Sequence, residues 1–197
     1  MARRHAPVAL RNREALLAVL RRVLPERARV LELGSGTGEH AVWLAARLPG
    51  VAWQPSDPDP VSRASIEAWI AAPGNPSAHP ERSAAESKDE GGTGLIAPPL
   101  ALDLLAPSWR LRRADAIVCV NVLHVAAPGA TLALVEGARD VLARGGVLVV
   151  AGPFGARDPP IPPALALVVE AAARADLAHV ETAEWPDACA CAVFRRR

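Results

Sequence analysis

Three glycines at alternate positions, Gly34, Gly36 and Gly38, stand directly behind the apolar run Val30–Leu33, and they constrain this chain more than anything else in it. The run reads as a short strand carrying a single acid, Glu32. Beyond the glycines, Ala41, Leu44, Ala45 and Leu48 recur at the i, i+3, i+4, i+7 spacing of a helix with one apolar face. Strand, glycine turn and helix open a mononucleotide-binding βαβ unit. Glycine lets the backbone turn sharply and lets a ligand lie against bare main chain. The start of the following helix offers N–H groups to a negatively polarised group.

The spacing separates two kinds of ligand. A dinucleotide fingerprint, Gly-x-Gly-x-x-Gly, requires its third glycine at position 39, which is Glu. Here the third glycine comes one residue early, and an acid lies two residues before the first. The pattern Glu32-x-Gly34-x-Gly36-x-Gly38 resembles motif I of the class I S-adenosylmethionine-dependent methyltransferases. A glycine turn alone is weak evidence, so the remainder of the chain has to decide.

At 197 residues and 51% apolar content the chain reads as one domain, 1–197, with a sizeable core. A formal net charge of +1 gives no global field to attract nucleic acid or a lipid surface. No apolar run approaches the roughly 18–20 residues that span a bilayer, and the first residues lack the apolar stretch of a signal peptide. Cys119, Cys189 and Cys191 form no metal-like CxxC pair, and the odd count argues against a secreted disulfide frame. The expectation is a cytoplasmic enzyme with no metal site, acting on a small molecule, as a monomer or homodimer.

In chain order, Met1–Leu10 reads as frayed and Asn12 as the cap of a helix from Arg13 to Leu24, stopped by Pro25. Arg11 and Asn12 either reach the cofactor or are a plain helix cap. Val51–Ser56 is the second strand and ends at Asp57-Pro-Asp-Pro60. Asp57 follows Gly38 at close to the roughly 20-residue offset of a ribose-binding acid, and a carboxylate can accept from both hydroxyls of a ribose. Asp59 and Pro60 form a helix-start signal for a helix to Ala71. Residues 75–97 change to Pro, Ser, Gly and charged residues without period, which predicts a flexible surface insertion. Leu100–Asp103 reads as the third strand, its Asp103 either accepting from an adenine amino group or simply solvated. Ala114–Val120 is a buried strand followed by Asn121 and His124. His124 is either a general base or a half-buried histidine held by a loop carbonyl. Pro128 opens the next helix, and Gly146–Ala151 is a fifth strand. An Ala-rich helix then leads to two strands, 178–183 and 188–195, whose short link allows only antiparallel pairing. Trp109, Cys189 and Cys191 read as core.

More of the chain carries the resemblance than motif I. Arg11-Asn12-Arg-Glu14, Leu31-Glu-Leu-Gly-Ser-Gly-Thr-Gly-Glu-His40, Trp53-Gln-Pro-Ser-Asp-Pro-Asp-Pro60, Ala101-Leu-Asp103, Ala114-Asp-Ala-Ile-Val-Cys-Val-Asn-Val-Leu-His124 and Gly152-Pro-Phe154 together resemble the DUF938 family, also called methyltransferase-like protein 26. The resemblance covers about residues 6–155, apart from the insertion. It implies a Rossmann-like α/β fold: a doubly wound sheet of seven strands, mostly parallel, with an antiparallel last strand and helices on both faces. It also implies S-adenosyl-L-methionine as cofactor and transfer of its methyl to an unidentified acceptor. On that basis Gly34, Gly36 and Gly38 approach the methionine part and Glu32 positions the turn or the amino group. Asp57 takes the ribose and Asp103 the adenine, while Asn121 and His124 face the methyl acceptor. Ser35, His40, Arg11, Asn12 and Asn121 complete the expected cofactor contacts. Two departures are the insertion near 75–97 and a short, Pro-rich segment after Phe154. The alternatives are a cofactor-binding protein without transfer activity and, further off, an NAD(P)-dependent oxidoreductase.

Overall fold

The computed structural model describes residues 3–72, 95–109, 111, 113–154 and 164–197. The chain divides into two compact units, Met1–Leu102 and Asp103–Arg197.

The first unit opens with helix α1, Pro7–Val23. This corrects the expected start at Arg13. Ala6 is the N-cap and Pro7 the first helical residue, where a proline's fixed φ is already helical and its missing N–H costs nothing. Asn12 therefore lies inside the helix, buried, and Arg11 is exposed; neither is a cap. The helix ends where expected, because Leu24 precedes Pro25 and a residue before proline is pushed out of the helical region; its φ of −84° and ψ of 142° are extended.

Strand β1, Ala28–Leu33, pairs in parallel with β2, Val51–Ser56, from Ala28 opposite Val51 to Leu33 opposite Ser56. Both strands are buried along almost their whole length, as parallel strands covered on both faces are. Because they end level, the glycine turn and Asp57 leave the sheet side by side. Helix α2 is short, Glu39–Ala45; Leu48 lies beyond it but is still buried. Helix α3, Pro60–Ile70, is capped by Asp59, whose carboxylate accepts from Val61 N (3.1 Å) and Ser62 N (3.0 Å), as its sequence predicts.

The third strand is a correction. It is β3, Leu95–Ile96, paired with Ala52 and Trp53, whereas Leu100 makes only an isolated bridge to Ser56. Pro98 and Pro99 lie between. Proline has no N–H for a ladder, so the pairing splits into a two-residue strand and a separate bridge. Leu95 and Ile96, expected within the flexible insertion 75–97, are therefore paired strand; the part of it before them falls in 73–94, which lie outside the described residues.

In the second unit β4, Ala114–Val120, falls where the sequence predicts. Helix α4 is Ala130–Val141, with Gly129 as its cap at φ 93°, so it begins later than Pro128. Strand β5, Leu142–Gly152, begins earlier than Gly146. Its register against β4 jumps between Ala114 opposite Leu142 and Ala116 opposite Val147. The extra residues form an irregularity around Gly145, at φ 75°, a bulge of the kind that lets a strand resume pairing after a bend. Helix α5 is Leu165–Arg174; the Pro-rich run before it lies outside the described residues. Strands β6, Leu177–Trp185, and β7, Cys189–Arg196, form the expected antiparallel pair, and β7 is also antiparallel to β5.

Among the described residues seven strands form one sheet in the order β3-β2-β1-β4-β5-β7-β6. It is mostly parallel with an antiparallel last strand, as predicted. Cys189 and Cys191 are buried on β7, as expected of core residues. Among the described residues no helix is long and apolar enough to cross a membrane.

Candidate functional site

The glycine turn is built as its sequence requires. Gly34, Gly36 and Gly38 have φ of 63°, 57° and 90°, left-handed values that L side chains rarely adopt. Gly38 is also fixed by packing, since a Cβ there would lie 2.9 Å from Ile66 Cα of α3. Gly36 is different. A Cβ on it would meet only Gly34 O, at 4.0 Å, so its bare main chain faces open space. Three turn N–H groups are already used: Ser35 N donates to Ser56 O (2.8 Å), Gly38 N to Ser35 O (3.0 Å) and Gly36 N to Asp57 Oδ2 (2.9 Å).

Glu32 lies beneath the turn. It is 2% exposed, and a single oxygen, Oε2, accepts from both Ser35 Oγ (2.9 Å) and Trp53 Nε1 (3.0 Å). Burial pushes its carboxyl up to about 7. The Trp53 and Ser35 hydrogen bonds oppose that rise, and the nearby charge of Asp57 adds to it. Ser35 Oγ also accepts from Ser56 N (3.1 Å), and Ser56 Oγ donates to Glu32 O (2.7 Å). The ends of β1 and β2 are thus tied together beneath the turn by Glu32, Ser35, Trp53 and Ser56. Glu32 and Ser35 are legible as site residues in the sequence, whereas Trp53 and Ser56 carry no signal of a role there. Trp53 is opposite Val30 in the register, and only that pairing together with the fold of the turn brings its indole to Glu32.

Asp57 is 7% exposed. Its Oδ2 accepts from Gly36 N and its Oδ1 from Asp59 N (2.9 Å). A carboxylate has about four acceptor positions, so capacity remains for two hydroxyls. Arg63 Nη1 donates to the Asp57 carbonyl oxygen (2.9 Å). The residues present therefore fit a nucleoside: open main chain at Gly36 stands beside an acid that the same glycine orients. His40 is the second residue of α2 and half-buried.

In the second unit Asp103 is exposed and its Oδ1 accepts from Leu105 N (2.9 Å) in a local turn. Asn121, just past β4, has φ 58°, and its N–H donates to Ala151 O (2.8 Å). His124 is half-buried, its ring edge-on to Phe154 with centroids 4.7 Å apart. A Cβ on Gly152 would lie 2.7 Å from His124 Nε2 and 3.6 Å from Asn121 Oδ1. Asn121, His124, Gly152 and Phe154 thus converge where β4 and β5 end. The sequence placed the first two there; that Gly152 makes room for the imidazole only packing could reveal. Trp109 is core, donating from Nε1 to Leu104 O (3.2 Å). Among the described residues no cluster of three His, Cys, Asp or Glu could hold a metal ion.

A family described as proteins of unknown function, DUF938, matches residues 3–165. The chain belongs to the DUF938 family. This DUF938 chain is also similar in structure to a TehB-like S-adenosylmethionine-dependent methyltransferase from Corynebacterium glutamicum, at 17% identity and a TM-score of 0.66, covering 96% of this chain and 95% of that one. It is similar to a putative sarcosine dimethylglycine methyltransferase from Galdieria sulphuraria, at 16% identity and TM-score 0.68, covering 95% and 86%. A third likeness is the N-methyltransferase NodS from Bradyrhizobium japonicum in complex with S-adenosylhomocysteine, at 21% identity and TM-score 0.63, covering 93% and 86%. At such identities the likeness shows the fold, and the DUF938 chain has the fold of the class I methyltransferases.

Proposed function

We propose that this protein is an S-adenosylmethionine-dependent methyltransferase acting on a small-molecule acceptor. The observation that carries the reading is the Gly36–Asp57 pair: a bare main-chain turn open to ligand, hydrogen-bonded to a buried carboxylate with acceptor capacity to spare. The three likenesses, each to a protein described as a methyltransferase, support it. The reading also takes the chain as a single domain, which one cooperative calorimetric transition would support.

When bound, S-adenosylmethionine supplies a methyl group on a sulfonium, open to in-line displacement. Gly34, Gly36 and Gly38 admit its methionine part to the main chain. Glu32, through Ser35 and Trp53, holds the turn in shape. Asp57 accepts from the ribose hydroxyls and Asp103 from the adenine amino group. Ser35, His40, Arg11, Asn12 and Asn121 are the further cofactor contacts proposed. On the acceptor side Asn121 orients the acceptor, and His124 removes its proton where it carries one, a contribution of roughly 10²–10⁴-fold. Alignment of the two reactants supplies more, up to roughly 7–11 kcal/mol of the barrier.

Titration calorimetry with S-adenosylhomocysteine, with NADH as control, tests the cofactor. Binding of the first alone, weakened at least roughly tenfold by Asp57→Ala, is the expected result. Preference for NADH, or an affinity untouched by Asp57→Ala, sinks the reading. Labelled methyl transfer over a panel of small-molecule acceptors then tests catalysis. Binding without turnover on any of them would instead favour a cofactor-binding protein that lacks transfer activity.

A further inference from the structure

The segment Arg3–Ala6, ahead of α1, is held down by side chains that also grip the glycine turn. Glu39, the first residue of α2 and nearly buried, has its Oε1 3.0 Å from His5 Nδ1, and its Oε2 accepts from the N–H of Ala6. The same Oε2 accepts from Thr37 Oγ1 (3.3 Å). Ser65 on α3 repeats the arrangement: its Oγ accepts from Arg4 N (2.9 Å) and donates to Thr37 O (2.8 Å). Thr37 lies between Gly36 and Gly38. Trp69, one helical turn beyond Ser65, donates from Nε1 to Arg4 O (3.0 Å), with His5 edge-on to it (centroids 5.1 Å apart) and the Arg3 guanidinium 4.7 Å over its ring.

Two independent side chains therefore run the same circuit, from the Arg3–Ala6 segment to Thr37 of the turn. His5 is exposed, so little apolar burial fixes this segment. Its position depends on polar ties, each modest in net worth, and a segment held that way opens at low cost. Glu39 is the acid in the first turn of α2, where the helix dipole favours a carboxylate, but that role requires no contact with Ala6 or Thr37.

We infer that Arg3–Ala6 is a strap whose closure is coupled to cofactor binding, with Glu39 and Ser65 as the positioning residues that carry the coupling through Thr37. A ligand seated on the turn fixes Thr37, and that fixes both partners of the strap. A closed strap in turn holds Thr37 in the geometry the ligand needs, as linkage requires. The inference rests on the cofactor reading above and adds to it a device at residues outside the proposed cofactor contacts.

Hydrogen exchange followed by mass spectrometry, with and without S-adenosylhomocysteine, tests it alongside calorimetry. In the wild type the ligand should slow exchange in a peptide covering residues 3–10 as well as in the turn. Glu39→Ala should abolish the ligand-induced protection of 3–10 and weaken S-adenosylhomocysteine at least roughly fivefold, within the usual range of site-to-site coupling. Glu39→Gln should restore both, because its amide oxygen can still accept from Ala6 N–H. Ser65→Ala, which leaves the charge in place, should show the same loss in smaller measure and serves if Glu39→Ala does not fold. A wild type that binds the ligand without protecting 3–10, or variants that keep wild-type affinity and protection while only melting earlier, would overturn the strap and leave the cofactor site standing. A wild type indifferent to S-adenosylhomocysteine would remove the cofactor reading and the strap with it.

Discussion

Replacing Glu32 by Gln should make this protein more stable at alkaline pH and leave it almost unchanged at acid pH. Both donors to Glu32, Ser35 Oγ and Trp53 Nε1, converge on Oε2. A neutral acid fits this arrangement, with its proton on Oε1, and glutamine is nearly isosteric with that neutral form. Burial raises the carboxyl from 4.5 to about 7, so the folded state holds a proton that the unfolded chain has already released. Stability rises with pH only where the unfolded state binds more protons; here the folded state binds more, so it falls. The contribution is fully present below about 4.5, declines through the interval and is lost above about 7. Each tenfold in proton affinity is worth about 1.4 kcal/mol, so the whole effect is about 3 kcal/mol and the part between pH 5.5 and 8.5 about 2 kcal/mol. For a chain of this length that is about 4–8 °C in melting temperature. Urea unfolding of wild type and Glu32→Gln at both pH values gives the difference directly, and titrating groups that do not interact with Glu32 cancel in it. A wild-type-minus-variant difference that does not change with pH would refute the reasoning. Glu32 would then be ionised throughout, its charge met by the two donors.

Other outcomes follow from the glycines. Gly38→Ala combines a left-handed φ with a Cβ 2.9 Å from Ile66 Cα and should cost about 2–4 kcal/mol in a urea titration. Gly36→Ala, strained but unobstructed, should cost about 1–2 kcal/mol, yet it should impair S-adenosylhomocysteine binding more than its stability loss suggests, as calorimetry would show. Gly137→Ala would place a Cβ 2.5–2.6 Å from the buried Trp109 ring and should destabilise by about 1–3 kcal/mol with a changed near-ultraviolet dichroism. Gly152→Ala meets the end of a side chain, His124 Nε2 at 2.7 Å. It should shift the His124 ring resonances while moving the melting temperature by only about 1–3 °C.

What the sequence determined was local and periodic. The three glycines announced a sharp turn, and all three take left-handed φ in it. Asp-Pro at 59–60 specified the cap of α3. The strands at 51–56 and 114–120 were legible because apolar runs bounded by turn residues have few alternatives. The short link after Trp185 allowed only an antiparallel pair. Sequence erred where local signals competed. Asn12 reads as a helix cap, but α1 already begins at Pro7, whose fixed φ suits the first helical position. Leu100–Asp103 reads as a strand, but Pro98 and Pro99 leave it a lone bridge and give the strand to Leu95–Ile96.

The chemistry of the site was decided by tertiary structure. Glu32 in an apolar run is visible in the chain. Its rise to about 7 also depends on Trp53 and Asp57, more than twenty residues away. Gly152 matters because an imidazole from another strand end rests against it, and Glu39 because Ala6 and Thr37 reach it from two sides. Turn type, capping and periodicity depend on near neighbours and can be read along the chain. Desolvation, shared hydrogen bonds and steric room depend on what folding brings from afar, and no stretch of sequence holds both partners.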